Sequence, residues 1–483
     1  MTSSRGVTPI MAIFPPRFLV RPLWVGVLLL ALAGCASMAP AERPVTDATE
    51  VWNAPLSDAE TSLPPDPLWW QRFGSPELDR LIARAFEQSP DLAATAERVI
   101  QAEQQVRIAG STLFPSLNVS GSSGARINQG DGSSRRSEST SLSLGANYEI
   151  DLWGNLAAGR DGAEASLLAN RYDYDAARLS LASAVATSWF RLLTLEERLR
   201  VAEENLRIAE RTEQIVDARF RNGAASRDEL LRQQTTVLNQ RASLAPLQLQ
   251  FRQTRAALAV LTGASPLGFE AQTDSEALLT VNIPGIEAGL PADLLIRRPD
   301  LARQEARLQA ADANVEQART AFLPTLSLTG NVGAGTTSLF SLANPAETAG
   351  WTVALAQTLF DGGRREAQQT ISQSQRLELV EQYRAAILVA LQETDDALDR
   401  VQVSAGQEAL QQTINGQAAR TLELTELRYR EGSEQLLTLL DAQRTLFQTR
   451  DQLVQLRLDR LLAAVDLYKA LGGGWQPEEQ ALN

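Results

Sequence analysis

The apolar and polar positions of this chain follow two rhythms that alternate and then start over. From Asn155 to Asn222 there is no proline. Apolar residues step by three and four through Leu192, Leu195, Leu199, Ala202, Leu206, Ala209, Val216 and Phe220, with Glu213 as the one break. That spacing predicts a coiled-coil seam. Roughly 65 residues at about 1.5 Å each make a helix about 100 Å long. A return helix is expected over Ser226 to Leu261, kinked at Pro246. The same pair recurs downstream. Arg364 to Tyr429 lacks proline, with Gly406 and Gly416 as weak points, and the return carries Val454, Leu458, Leu461, Val465 and Tyr468.

Ahead of each long helix the period shortens to two. Ser141 to Asp151 alternates polar and apolar without a break, the signature of a strand with one apolar face. Its partner starts at Pro115, with Leu117 and Val119 on one face, and a Gly/Ser/charged connection is expected over Asn128 to Glu138. A second set places Leu326, Leu328 and Val332 before Trp351, Val353 and Leu355. Four strands of about 11 to 13 residues suffice to cross a bilayer at the usual tilt. Four strands of a soluble sheet are the alternative.

These rhythms repeat because the chain does. Pro90-Asp91-Leu92-Ala93 returns as Pro299-Asp300-Leu301-Ala302, and Arg219-Phe220-Arg221-Asn222-Gly223 returns as Arg428-Tyr429-Arg430-Glu431-Gly432, each 209 positions on. Copy one is expected over 75–263, with a β-hairpin at 115–152 and a helical hairpin at 155–262. A linker at 264–284 follows. Copy two spans 285–475, with hairpins at 324–360 and 362–471, and 476–483 is a tail. Gly223 and Gly432 sit where a tight turn joins two long helices.

Composition narrows the function. The 483 residues hold no histidine, one cysteine (Cys35) and one lysine (Lys469), with a net charge of -13. Imidazole acid/base chemistry, Cys/His zinc sites and an intramolecular disulfide are excluded. Carboxylates lie on helix faces at coiled-coil spacing, so the chain does not read as an enzyme, and no basic block suggests nucleic acid. Residues 1–34 read as a signal peptide: Arg5, Arg17 and Arg21, then an apolar stretch ending in Leu32-Ala33-Gly34-Cys35. Cys35 is the expected lipid-bearing first residue of the mature chain; an ordinary signal peptide with a chance cysteine is the alternative. Residues 35–74 read as an arm that packs Trp52, Trp69 and Trp70 on the body.

The mature sequence has no apolar run of about 18 residues, so a crossing must use the strands. Four strands cannot close a barrel, for which about eight is the minimum. A dimer supplies eight and a trimer twelve. Ser141, Ser143, Gly145, Asn147, Thr352, Ala354 and Ala356 are small, which favours an open lumen and so the trimer.

The motifs Trp69-Trp70-Gln71-Arg72-Phe73, Asp293-Leu294-Leu295-Ile296-Arg297-Arg298-Pro299-Asp300, Tyr429-Arg430-Glu431-Gly432, Leu439-Leu440-Asp441-Ala442-Gln443-Arg444 and Ala470-Leu471-Gly472-Gly473-Gly474-Trp475, with Cys35, carry a family resemblance. The chain resembles the outer membrane factor family of TolC- and OprM-like channels, most closely its NodT-type lipoprotein branch. The resemblance implies a mainly helical chain with a membrane β part. It implies a homotrimer with a 12-stranded barrel in outer membrane lipid and a periplasmic α-helical tunnel. It also implies docking to a periplasmic adaptor and an inner-membrane RND pump, to expel drugs or other toxic solutes.

The resemblance places Leu437 and Asp441 at the hydrophobic and acidic rings of the periplasmic gate. Thr438 stands where TolC-type members carry a second acid. Arg221, Asp228 and Arg430 are candidates for bracing the tip, and Gly223 and Gly432 for contacting the adaptor. The alternative makes Asp441 an ordinary ion-pair partner of Arg444 or Arg221. No cofactor is expected beyond the lipid on Cys35. Two other functions stay open: an exit duct for protein secretion, and a periplasmic coiled-coil scaffold without a pore.

Overall fold

The computed structural model describes residue 52 and residues 66–130, 133–273, 277–286, 289, 291 and 294–476. Cys35, the signal segment and most of the arm lie outside these residues. Copy one runs α1 (Pro76–Gln88), α2 (Pro90–Ser111), β1 (Ser116–Gly130), β2 (Ser133–Ile150), α3 (Asn155–Arg221) and α4 (Arg227–Leu261). After a helical turn at Leu294–Arg297, copy two runs α5 (Pro299–Thr320), β3 (Thr325–Thr336), β4 (Ala346–Ala356), α6 (Arg364–Arg430) and α7 (Leu436–Ala470).

Local chemistry sets the element ends. Pro76 opens α1 behind Ser75, whose hydroxyl accepts from the Leu78 N–H at 3.2 Å. The two long helices start behind Gly154 (φ 76°) and Gly363 (φ 86°), left-handed residues where the strand turns into the helix. The Trp153 indole N–H donates to the Pro324 carbonyl at 2.7 Å and ties the foot of one hairpin to the other. Each long helix is 67 residues, about 100 Å at about 1.5 Å per residue.

Two expectations change. The coil expected at Asn128–Glu138 is mostly strand: β1 and β2 have 15 and 18 residues and pair out to Gly130 and Ser133. Ser, Arg and Asn face water on such a ribbon without breaking its ladder. Helix α4 runs as one element past Pro246, the expected return helix. The buried stripe of α3 runs through Asn205 and Thr212, not Leu206 and Glu213. A pattern read from apolarity alone misses a seam that polar residues occupy.

The strands form one antiparallel sheet in the order β1-β2-β3-β4. Its register puts Leu117, Ala146, Gly330 and Trp351 in one row, with Val119, Leu144, Val332 and Ala349 in the next row of the same face. Ser120, Ser143, Gly333 and Thr348 share a row of the other face, where Ser120 and Ser143 hydroxyls meet at 2.8 Å. The sheet therefore has one apolar and one polar side along all four strands.

The main core sits where the C-terminal parts of α4 and α7 reach the middle of α3. Trp69, Trp70 and Phe73 pack on Trp189, Phe190 and Tyr468, with Trp69 stacked on Tyr468 at 5.1 Å between centroids. The Trp189 indole donates to the Ser75 hydroxyl at 3.1 Å. Trp52 fills a second cluster with Leu398 and Leu467. The chain turns here through Gly472, Gly473 and Gly474, all at positive φ. A Cβ on Gly472 would stand 1.9 Å from the Arg297 carbonyl oxygen, so no other residue fits without moving backbone.

Candidate functional site: a membrane band and a helical tip

The apolar face of the sheet has a measurable height. From the row of Ile150, Leu326 and Leu355 to the row of Thr140 and Thr336 is ten residue steps along β2. At about 3.4 Å per residue and a tilt of about 40° this is roughly 25 Å, the height of the lipid-facing band of a membrane barrel. Leu117, Val119, Leu144, Val332, Trp351, Val353 and Leu355 are all exposed in the single chain. Strands β1 and β4 are open edges. No helix among the described residues is long and apolar enough to cross a membrane.

At the far end of the helices, Gly223 (φ 73°) and Gly432 (φ 79°) make the same turn. The Ala224 N–H donates to the Arg219 carbonyl at 2.8 Å and the Ser433 N–H to the Arg428 carbonyl at 3.0 Å. No side-chain atom crowds Gly223, and only the Arg219 guanidinium comes near Gly432, at 3.7 Å from a Cβ built there.

The predicted gate residues lie on one exposed face at the start of α7. Leu437 is 61% exposed, and Asp441 is 56% exposed and pairs with Arg444 at 3.0 Å. Thr438 is exposed on the same face. The bracing candidates are engaged within their own helices. Arg221 pairs with Asp217, Asp228 with Arg232 at 2.9 Å, and Arg430 with Glu426 at 3.0 Å. Within one chain none of the three meets Asp441.

What joins the two hairpins was not anticipated. Positions 198, 205, 212 and 219 of α3, each seven residues on, make polar contacts to copy two. Arg198 grips Asp451 at 2.7 and 3.2 Å. Asn205 accepts from Arg450 at 3.4 Å, and the Gln443 amide donates to the Thr212 hydroxyl at 2.6 Å. The Arg219 guanidinium lies 4.7 Å from the Tyr429 ring centre and donates to the Tyr429 carbonyl at 2.5 Å. Burial, with the Glu229 charge adding to it, pushes the Tyr429 phenol pKa up despite Arg219. The one signal that could have found it is the spacing, since 198, 205, 212 and 219 are each one heptad apart.

Among the described residues, no cluster of His, Cys, Asp or Glu is arranged to hold a metal. The acids at the tip and along the helices occur as partners of arginine, such as Asp228 with Arg232 and Asp441 with Arg444.

Known proteins match over nearly the whole length. The family described as "Outer membrane efflux protein" matches residues 81–264 and again 290–473. The pyoverdine export outer membrane protein OpmQ of Pseudomonas putida is 39% identical over 93% of this chain and 97% of its own. The cation efflux system protein CusC of Escherichia coli O6:H1 is 30% identical, over 92% of this chain and 97% of its own. Among solved structures, the open state of the Neisseria gonorrhoeae MtrE outer membrane channel superposes with a TM-score of 0.80. It is 26% identical and the match covers 92% of this chain and 99% of that one.

Proposed function

The chain belongs to the outer membrane efflux protein family, and from that premise we propose that three copies build one continuous conduit from periplasm to exterior. The protein is the outer membrane channel component of an efflux system. The observation that carries the assembly is the sheet with two open edges, and the small residues of its polar face favour three copies over two. Unpaired N–H and C=O groups cannot face lipid, so β4 of one copy must pair with β1 of the next. Three copies give a 12-stranded barrel, with the apolar face against lipid and the Ser/Thr/Asn face around a lumen. The long helices continue the wall into the periplasm, and their exposed outer rows on α4 and α6, including Leu238 and Leu410, meet the neighbouring copies.

In this reading the channel is passive and conducts solutes that a periplasmic adaptor and an inner-membrane RND pump deliver. The turns at Gly223 and Gly432 receive the adaptor, since their small size allows close approach. Leu437 and Asp441 ring the mouth, where three carboxylates favour cations. The lipid on Cys35 anchors the mature N-terminus. OpmQ by its name exports pyoverdine, and organic solutes are the proposed cargo here.

Native mass measurement of the detergent-extracted protein tests the assembly. A mass of three mature chains is expected, each carrying lipid that Cys35→Ser removes. A monomer overturns the barrel, and a dimer overturns its twelve strands.

A further inference from the structure

The β1–β2 hairpin does not end where the rest of the sheet ends. Thr140 is the last β2 residue paired with β3, yet β1 and β2 go on pairing from Gly124–Ser139 to Gly130–Ser133. Seven more steps of about 3.4 Å carry a two-stranded ribbon about 24 Å beyond the four-stranded sheet. Three arginines stand on it, and the register sorts them.

Arg126 faces Ser137 and Arg135 faces Asn128 across the ladder. Both positions continue the polar face of Ser120, Ser122, Ser141 and Ser143. Arg136 is on the opposite face, continuing the apolar side, and there Glu138 neutralises it at 2.8 Å. Arg126 and Arg135 are exposed, and no carboxylate among the described residues pairs with either. They are diagonal neighbours, about 7–8 Å apart at the backbone. Two like charges so close repel unless an anion comes between them, and a guanidinium fork suits a carboxylate. The β3–β4 loop does not cover this face. Its Ser338 carbonyl and Phe340 N–H bond Thr140 and Ser123, at 2.7 and 3.0 Å, on the apolar side.

At the other end of the same polar face stands Glu149, opposite Ser327. The polar face of the β1–β2 hairpin thus carries a carboxylate at its foot and a pair of guanidinium groups on the ribbon beyond the sheet. We propose that Arg126 and Arg135 form a cationic collar at the outer mouth, two per chain, which draws anionic solutes, carboxylates above all, through the exit. The inference rests on the trimeric barrel. The sorting by face separates it from lipid binding, since the arginine turned toward lipid is the one already paired.

The test is the reversal potential of the purified trimer in a planar bilayer under a KCl gradient, with the dilute side at the outer mouth so that screening is small. Arg126→Gln with Arg135→Gln should lower the chloride-to-potassium permeability ratio about two- to threefold, the effect shrinking in concentrated salt. Arg136→Gln should leave the ratio unchanged. A double variant that conducts with the parent's reversal potential overturns the collar, as does Arg136→Gln shifting the ratio equally. If neither the parent nor any variant conducts, the barrel itself fails.

Discussion

The two copies close alike where the helices meet at mid-length and unlike at the tips. At mid-length, Gly263 packs on the Gln88 carbonyl and Gly472 on the Arg297 carbonyl, where a Cβ would stand 2.1 and 1.9 Å from oxygen. Both contacts are 209 positions apart, so one backbone solution is used twice. At the tips the backbone turn is again shared, but the side chains part. Copy one starts its return helix with a reciprocal capping box between Ser226 and Glu229. Copy two starts at Gln435 with no side-chain cap. Copy one carries the exposed Asp228–Arg232 ion pair where copy two carries an exposed Leu437 and an Asp441 that pairs with Arg444 instead. Arg219 lies on Tyr429, while Arg428, its counterpart, is exposed. Equivalent geometry is kept where helices must fit, and the chemistry diverges at the tips. In the proposed channel this divergence lets copy two present the mouth while copy one holds it.

The largest effects should come from mid-length. Gly472→Ala and Gly263→Ala each force a Cβ into a carbonyl at positive φ, and each should cost more than about 3 kcal/mol in thermal unfolding. Gly223→Ala shares the positive φ but meets open space, so it should cost only about 1 kcal/mol. Equal losses at Gly223 and Gly472 would break the contrast.

Next in size is Arg298, buried between Asp300, Glu393 and the Ala470 carbonyl, the contacts spanning 2.8 to 3.1 Å. Arg298→Met should cost about 1–3 kcal/mol by removing its bonds to Asp300, Glu393 and the Ala470 carbonyl. Burial raises the Asp300 pKa, but the Arg298 bond and charge outweigh it and hold that carboxyl below its usual value. A depressed pKa stabilises the fold above the ordinary carboxylate range, and that stability is lost as pH falls through the folded value. Acid titration of unfolding should show this loss in the parent and not in Arg298→Met.

Smaller effects sharpen the contrast at the tip. Arg219→Ala should cost about 1–2 kcal/mol by removing the ring and carbonyl contacts of Tyr429. Ser226→Ala should cost about 1 kcal/mol, and Gln435→Ala under about 0.5, measured by urea unfolding. A larger loss at Gln435 would mean that copy two has a cap outside its own side chain.

Much of this was legible in the sequence because the signals were periodic. Prolines at 90 and 299, the strand alternation and the 209-residue offset marked nearly every helix and hairpin. The polar ladder of Arg198, Asn205, Thr212 and Arg219 was not, because a seam is sought as apolar and these residues join segments over 200 positions apart. The ribbon beyond Thr140 was hidden for a related reason: Ser, Arg and Asn read as a loop, and only pairing makes them strand. Leu437 and Asp441 came from resemblance to a family, not from spacing, and a single chain places them on one exposed face without the copies they would meet.

The most direct test of the division of work between the copies is single-channel conductance of the purified protein in a planar bilayer. Asp441→Ala should raise conductance and weaken cation preference, while Asp228→Ala, the acid at the tip of copy one, should change neither. Unchanged conductance and selectivity in Asp441→Ala, or an equal rise in Asp228→Ala, would contradict the account.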